Sequence, residues 1–362
     1  MSRLFTPLHL GTMPLQHRIA MAPLSRFRAS DNHTPTALME EYYDQRARIP
    51  GTLLISEANM ISPSQGGYAN SPGLYNATQI AAWKRITDKV HARGSFIVAQ
   101  IIAVGRSAQP AVAAREGITV KGASAIPQSE EYAVPVPLTV EEIQGVVGDF
   151  GSAARNAIAA GFDAVEIHGA NGYLVDQFLQ ESANARDDEY GGDVERRARF
   201  AVEVVRAVVE AVGAERTAVR LSPWNRVAGM GTGDQRAQFG YVVREINALG
   251  KLAYLHLTEA VGGEDQGEDL DFAVDAWDGP VLLAGGYTAE LARRVVDEQR
   301  RDRDVVVVFG RHFIANPDLP FRIRTGVELT PYKRESFYTP LVLTGYTDYA
   351  FSREFLEEDV VA

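Results

Sequence analysis

Short runs rich in Val, Ile, Leu and Ala recur at residues 18–23, 52–60, 95–102, 163–168, 217–222, 252–258, 280–285 and 304–310. Between them lie longer segments with helical spacing and good helix formers, at 36–48, 77–92, 140–160, 194–212, 236–249 and 289–300. A strand that is apolar at consecutive positions is buried on both faces, as in a parallel sheet flanked by helices. Regular alternation of strand and helix predicts an α/β fold, and eight strands predict a closed (βα)8 TIM barrel. An open doubly wound sheet is the competing arrangement, but its Gly-x-Gly-x-x-Gly fingerprint is missing after the first strand.

Two segments stand outside the repeat. Residues 4–15 hold two short extended runs around Gly11, which read as an N-terminal hairpin plugging the barrel floor or as a plain tail. Residues 103–138 are rich in Pro, Ala and Gly without a period, and so form a long excursion after the third strand that is expected to cap the active site. With no linker or repeat in sight, residues 1–362 are expected to form a single barrel domain.

Composition narrows the chemistry. The chain has no cysteine, which removes disulfides, thiolate nucleophiles and cysteine-held metal centres. Redox chemistry would therefore need an organic cofactor. A net charge of −11, from 36 Lys plus Arg against 47 Asp plus Glu, argues against nucleic acid as a partner. No apolar run approaches the roughly 20 residues of a membrane helix. The segment Met1-Ser2-Arg3-Leu4-Phe5-Thr6-Pro7 lacks the layout of a signal peptide, so a soluble, cytoplasmic protein is expected.

Catalytic groups of such barrels sit where the strands end. The most informative end is His168-Gly169-Ala170-Asn171-Gly172-Tyr173, which puts two hydrogen-bonding side chains and a phenol beyond an apolar strand. Such a trio can hold a carbonyl oxygen and deliver a proton beside it, although His168 alone reads equally as a core histidine and Tyr173 as a packing aromatic. Other strand ends supply Pro23, Ser25, Ala58, Gln100, Arg220, Gly285 with Gly286, and Gly310 with Arg311. Taken singly, these glycines read as turn residues and Arg311 as a solvated charge. Together, after strands seven and eight, they point to a phosphate site.

Longer motifs carry a resemblance. They are Arg18-Ile19-Ala20-Met21-Ala22-Pro23-Leu24, Glu41-Tyr42-Tyr43-Asp44-Gln45-Arg46-Ala47, the stretch from His168 through Gln177-Phe178-Leu179 to Arg186 and Tyr190-Gly191-Gly192, and Phe309-Gly310-Arg311 with Asn316-Pro317-Asp318. With these in order, the chain resembles, nearly end to end, the Old Yellow Enzyme family of FMN-dependent ene-reductases. The resemblance implies a non-covalent FMN above the barrel, with Pro23 and Ser25 beside it, Ala58 by the ring and Gln100 at the pyrimidine edge. It also implies Arg220 near N1 and the C2 oxygen, and Gly286, Gly310 and Arg311 at the phosphate.

By the same resemblance His168 and Asn171 bind the carbonyl oxygen of an enone or enal. Hydride then passes from flavin N5 to the β carbon and Tyr173 protonates the α carbon, with Tyr68 and Tyr346 as further pocket residues. NADPH or NADH is the hydride donor, and a monomer or homodimer is expected. Two departures matter. Gln100 is followed by Ile101-Ile102-Ala103 where the family has Leu-Trp-His, so Ile102 replaces a pocket tryptophan and a larger, less aromatic wall is expected. Ser25 keeps a hydroxyl where another branch carries cysteine, which aligns the chain with the yeast-type branch.

Three alternatives stay open. One is a specialised ene-reductase of natural-product biosynthesis, another a double-bond isomerase, although isomerising relatives lose the acid at Tyr173. The third is a flavin-free barrel lyase or isomerase for a phosphorylated metabolite, with His168 as base. Gly229-Met230-Gly231-Thr232-Gly233 reads as a substrate loop rather than a phosphate loop, because no strand leads into it. The acidic residues 262–269 lack calcium-loop spacing and read as a solvated loop, so no metal is expected.

Overall fold

In the computed structural model, which describes residues 2–231, 233–260 and 267–361, the eight predicted runs become eight parallel strands. They are β1 (Ile19–Met21), β2 (Leu53–Ile55), β3 (Phe96–Ile102), β4 (Ala164–Gly169), β5 (Thr217–Leu221), β6 (Tyr254–Thr258), β7 (Val281–Ala284) and β8 (Val305–Phe309). Each pairs with its sequence neighbour, and β8 returns to β1 through Val307 opposite Ile19. The sheet is therefore a closed (βα)8 barrel.

Helices α1 (Ala37–Arg46), α2 (Ala77–Ala92), α3 (Val140–Ala159), α4 (Val194–Val212) and α5 (Gln235–Asn247) follow β1 to β5 in turn. Their starts are encoded locally. Asn76, Asp193 and Asp234 each accept a hydrogen bond from the backbone N–H three residues on, and Thr139 with Glu142 forms a full capping box. The helix expected at 289–300 is α-helical only over Ala289–Arg294, then widens into a π turn over Val295–Gln299.

The strands show why consecutive apolar residues were needed. Ile97, Ala99, Ile101, Val165, Ile167, Val219, Leu221, Leu255, Leu257, Val305 and Val307 face the helices in one large core. Their neighbours Val98, Ala164, Ala218, Tyr254, Leu282, Val306 and Val308 point into the barrel and form a second core. That inner core is closed from below by the hairpin Leu8–Leu10 and Met13–Leu15, paired antiparallel with Leu8 opposite Leu15. Its turn needs Gly11, which has φ of 54° and where a Cβ would lie 2.0 Å from the Glu215 carbonyl oxygen.

Residues 52–60 do not form one continuous strand. After β2 the chain leaves the ladder at Ser56-Glu57-Ala58, and only Asn59–Met60 pairs again, alongside Ile101 and Ile102. Asn59 stabilises the break by donating from Nδ2 to Ser56 Oγ, the Glu57 carbonyl and the Gln100 carbonyl. Within residues 103–138, the helix Pro110–Glu116 is followed by a short parallel pairing of Lys121–Gly122 with Val136–Pro137. No helix among the described residues is long and apolar enough to cross a membrane.

Because the hairpin completes the inner core, Leu10→Ala, at a fully buried position, is expected to destabilise the fold by about 3 kcal/mol. Chemical denaturation followed by circular dichroism measures this; an unchanged midpoint would mean that the hairpin is a loosely attached tail.

Candidate active site

One layer above the apolar inner core, the inward positions become polar: Gln100, Glu166, His168, Arg220 and His256. Register brings them together, since Gln100 lies opposite Glu166 and Arg220 lies opposite both His168 and His256. Glu166 is the centre. Its carboxylate accepts from Gln100 Nε2 at 2.7 Å and from His256 Nδ1 at 2.8 Å. Burial alone would raise its pKa, but His256, Arg220 and Gln100 outweigh that and hold it below the ordinary carboxylate range.

The direction of these bonds sets what the cavity meets. A carboxylate only accepts, so the Gln100 nitrogen must face Glu166 and the Gln100 oxygen is left to accept from elsewhere. Arg220 lines the cavity, and its Nε, shielded from solvent, has no partner among the described residues. A buried guanidinium nitrogen without a partner is a receptor for a ligand acceptor.

The cavity has a volume of about 570 Å³. His168 is neutral: burial, then the charges of Arg220 and His256, push its pKa well below the usual value. Its Nδ1 accepts from the Ala170 N–H at 3.3 Å, so its proton resides on Nε2. Asn171 follows in a left-handed turn with φ of 59°, where its N–H donates to Ser222 Oγ at 2.8 Å. Its side-chain oxygen accepts from Asn225 Nδ2 at 2.5 Å, and among the described residues nothing accepts from the Asn171 amide hydrogens.

Tyr173 packs edge-on against His168, with ring centroids 4.8 Å apart, and against Tyr68 at 6.2 Å. Burial raises the Tyr173 pKa, while a hydrogen bond from Tyr68 partly offsets the rise, so the phenol keeps its proton at neutral pH.

Of the residues singled out in the sequence, Pro23, Ser25, Ala58, Tyr68, Gln100, Ile102, His168, Asn171, Tyr173, Arg220 and Arg311 line this one cavity. Gly286 and Gly310 do not line it. Gly286 has φ of 83°, the left-handed turn that glycine favours, and Gly310 immediately precedes the helix that begins at Arg311.

Tyr346 is a correction. It is fully buried, stacked face to face on Tyr42 at 4.1 Å and flanked by the guanidinium groups of Arg26 and Arg28. The aromatics that the C-terminal segment brings to the cavity are Phe337 and Tyr338, the latter 63% exposed and 5.7 Å from the Phe27 ring.

Sequence reasoning also missed Glu166, His256 and Asn225. For the first two a signal existed: each is a polar residue alternating with apolar ones inside a strand, on the same face as His168 or opposite Arg220. Ile102 is 4% exposed and packs with Ala58, Met60 and Val104 against the Tyr68 and Tyr173 rings, which gives the cavity an aliphatic wall. Of the Gly229–Gly233 loop, residue 232 lies outside the described residues, as do 262–266 of the acidic stretch.

A (βα)8 barrel with a cationic, hydrogen-bonding cavity at the carboxyl ends of its strands is the architecture of a cofactor-dependent barrel enzyme. Residues 3–330 match the NADH:flavin oxidoreductase / NADH oxidase family, and the chain belongs to that family. It is 54% identical to the chanoclavine-I aldehyde reductase of Penicillium roqueforti (strain FM164), over 98% of each chain. It is 48% identical to an NADP-dependent oxidoreductase of Aspergillus flavus, over 99% of this chain and 98% of that one. The crystal structure of Old Yellow Enzyme from Pichia sp. AKU4542 superposes with a TM-score of 0.92 at 39% identity, covering 97% of this chain and 94% of that one. The protein is therefore an FMN oxidoreductase of the Old Yellow Enzyme type, which removes the flavin-free reading.

With His168 neutral, affinity for an uncharged carbonyl ligand such as cyclohexanone is expected to vary by less than about twofold between about pH 5 and 8. Titration followed by the flavin absorbance change measures it. A decline that tracks a pKa near the usual imidazole value, about 6.5, would mean that His168 takes up a proton.

Proposed function

We propose that this protein reduces the carbon–carbon double bond of α,β-unsaturated aldehydes and ketones, with NADPH as hydride donor. One observation carries the reading: the neutral donors His168 Nε2 and Asn171 Nδ2 meet the Tyr173 hydroxyl in a single cavity beside Arg220. Donors without charge suit a carbonyl oxygen that becomes negative only as hydride reaches the β carbon. Tyr173, kept protonated by burial, gives its proton to the α carbon.

The cavity floor fits FMN. Gln100, whose side-chain oxygen is left to accept, and Arg220, whose Nε has no partner among the described residues, would hold the polar edge of the ring system. Ser25 would add a hydroxyl, Pro23 and Ala58 apolar contact, and Arg311, which lines the cavity, would hold the phosphate together with Gly286 and Gly310 at the neighbouring strand ends. When bound, FMN would supply hydride-transfer chemistry between the reduced nicotinamide and the double bond. Residues 103–138 cap the cavity in this reading.

The donor is assigned as NADPH because a relative is named NADP-dependent, and an aldehyde is included among the substrates because another is named an aldehyde reductase; the double bond is assigned from the carbonyl-holding donors and the acid at Tyr173. Within that class a bulky natural-product enal is favoured, since Ile102 and Met60 give an aliphatic wall in place of an indole.

The test is a visible spectrum of the purified protein, followed without oxygen by NADPH and then cyclohexenone. Flavin absorbance that bleaches and then recovers supports the reading; bleaching with no recovery for any enal or enone overturns it. Tyr173→Phe is expected to leave flavin reduction by NADPH within about twofold and to slow enone reduction by about a hundredfold or more. Stopped-flow measurement of the two half-reactions separates these, and an unchanged second half-reaction would place the proton donor elsewhere.

A further inference from the structure

Asn171 can hold a carbonyl oxygen only if its amide turns the nitrogen, and not the oxygen, toward the cavity. Nothing in Asn171 itself decides this, because a 180° rotation exchanges donor for acceptor with almost no change of shape. Its neighbours must decide. Asn225 lies in the turn that follows β5 and also lines the cavity. The Val227 backbone N–H donates to Asn225 Oδ1 at 2.9 Å, and Asn225 Nδ2 donates to Asn171 Oδ1 at 2.5 Å.

A backbone N–H is a donor only, so it admits one orientation of Asn225, with oxygen toward Val227 and nitrogen toward Asn171. Asn171 then has its oxygen engaged and its amide hydrogens left for a ligand. Both residues are anchored on Ser222: the Asn171 N–H donates to Ser222 Oγ at 2.8 Å, and the Asn225 N–H donates to the Ser222 carbonyl at 3.2 Å. The directions therefore run one way, from a main-chain donor that cannot invert, through Asn225, to Asn171.

We propose that Asn225 is a positioning residue that holds Asn171 as a hydrogen-bond donor and so makes this part of the cavity selective for acceptor oxygens. The proposal rests on the carbonyl-holding role of Asn171 advanced above. Asn225 need not touch the substrate; it acts by removing the inverted amide from the ensemble. An aspartate at this position would present only acceptors, drive Asn171 to turn its nitrogen away from the cavity, and leave the Asn171 oxygen facing the carbonyl. Protonated, the same aspartate regains one O–H donor.

The experiment measures cyclohexanone binding to the FMN-loaded protein, by the flavin absorbance change, for the wild type, Asn225→Ala and Asn225→Asp at about pH 8 and about pH 4, where an aspartate of ordinary pKa, about 3.9, is close to half protonated. Flavin content and melting temperature of each variant are recorded alongside. Asn225→Ala is expected to weaken binding by about five- to tenfold at both values. Asn225→Asp is expected to weaken it by roughly thirty- to a hundredfold at the higher pH and to recover most of that loss at the lower one. The wild type, measured at each pH, removes any contribution of His168, Tyr173 or Arg220.

Recovery on protonation is the decisive readout, because a residue that merely props up the loop gains nothing from a proton. Asn225→Asp binding as tightly as the wild type at the higher pH, or a loss that persists at the lower one, overturns the proposal. A wild type that reduces cyclohexenone but does not bind cyclohexanone would overturn instead the carbonyl role of Asn171, and this inference with it.

Discussion

A carboxylate enclosed on every side by barrel strands is costly unless donors surround it, and Glu166 is such a group. Gln100 and His256 donate to it, and the positive charge of Arg220 acts on it from the neighbouring strand. Those obligations fix the floor of the cavity. Gln100 must spend its nitrogen inward and shows its oxygen outward, His256 donates from Nδ1 to Glu166, and Arg220 keeps its charge and an Nε with no partner among the described residues. A receptor with one acceptor and a fork of donors follows from a single acceptor-only group beneath it.

The same rule operates one level up, with main-chain N–H groups in place of the carboxylate. Ala170 donates to His168 Nδ1 and Val227 donates to Asn225, so the free face of the imidazole and the free face of the Asn171 amide are both donors. Main-chain donors cannot rotate into acceptors. In the proposed reaction this arrangement would be preorganised toward an oxygen that gains negative charge, without the reorientation that loose side chains or water would require.

Departures from the expected pattern have local causes. The second strand breaks at Ser56-Glu57-Ala58 because Asn59 binds three groups across the gap, which brings Ala58 to the cavity rather than leaving it in the ladder. Tyr346 packs away from the cavity, where its ring stacks on Tyr42 and meets the guanidinium groups of Arg26 and Arg28. Tyr338, a few residues earlier, remains exposed and meets Phe27 at the mouth.

Much of the architecture was legible in the chain itself. Consecutive apolar residues announce strands buried on both faces, and eight of them alternating with capped helices announce the barrel, because burial patterns and caps are local properties. The strand ends at His168, Asn171, Tyr173, Gln100 and Arg220 could be read together for the same reason: the fold class alone says that they converge. What the tertiary structure decided is direction. That Glu166 and His256 lie beneath the cavity, that Asn225 meets Asn171, and that Tyr338 and not Tyr346 reaches the mouth depend on the register of neighbouring strands and on loops meeting across the barrel. Sequence spacing carries residue type and periodicity, but which atom of an amide or imidazole faces a ligand is settled only by the partner on its other side.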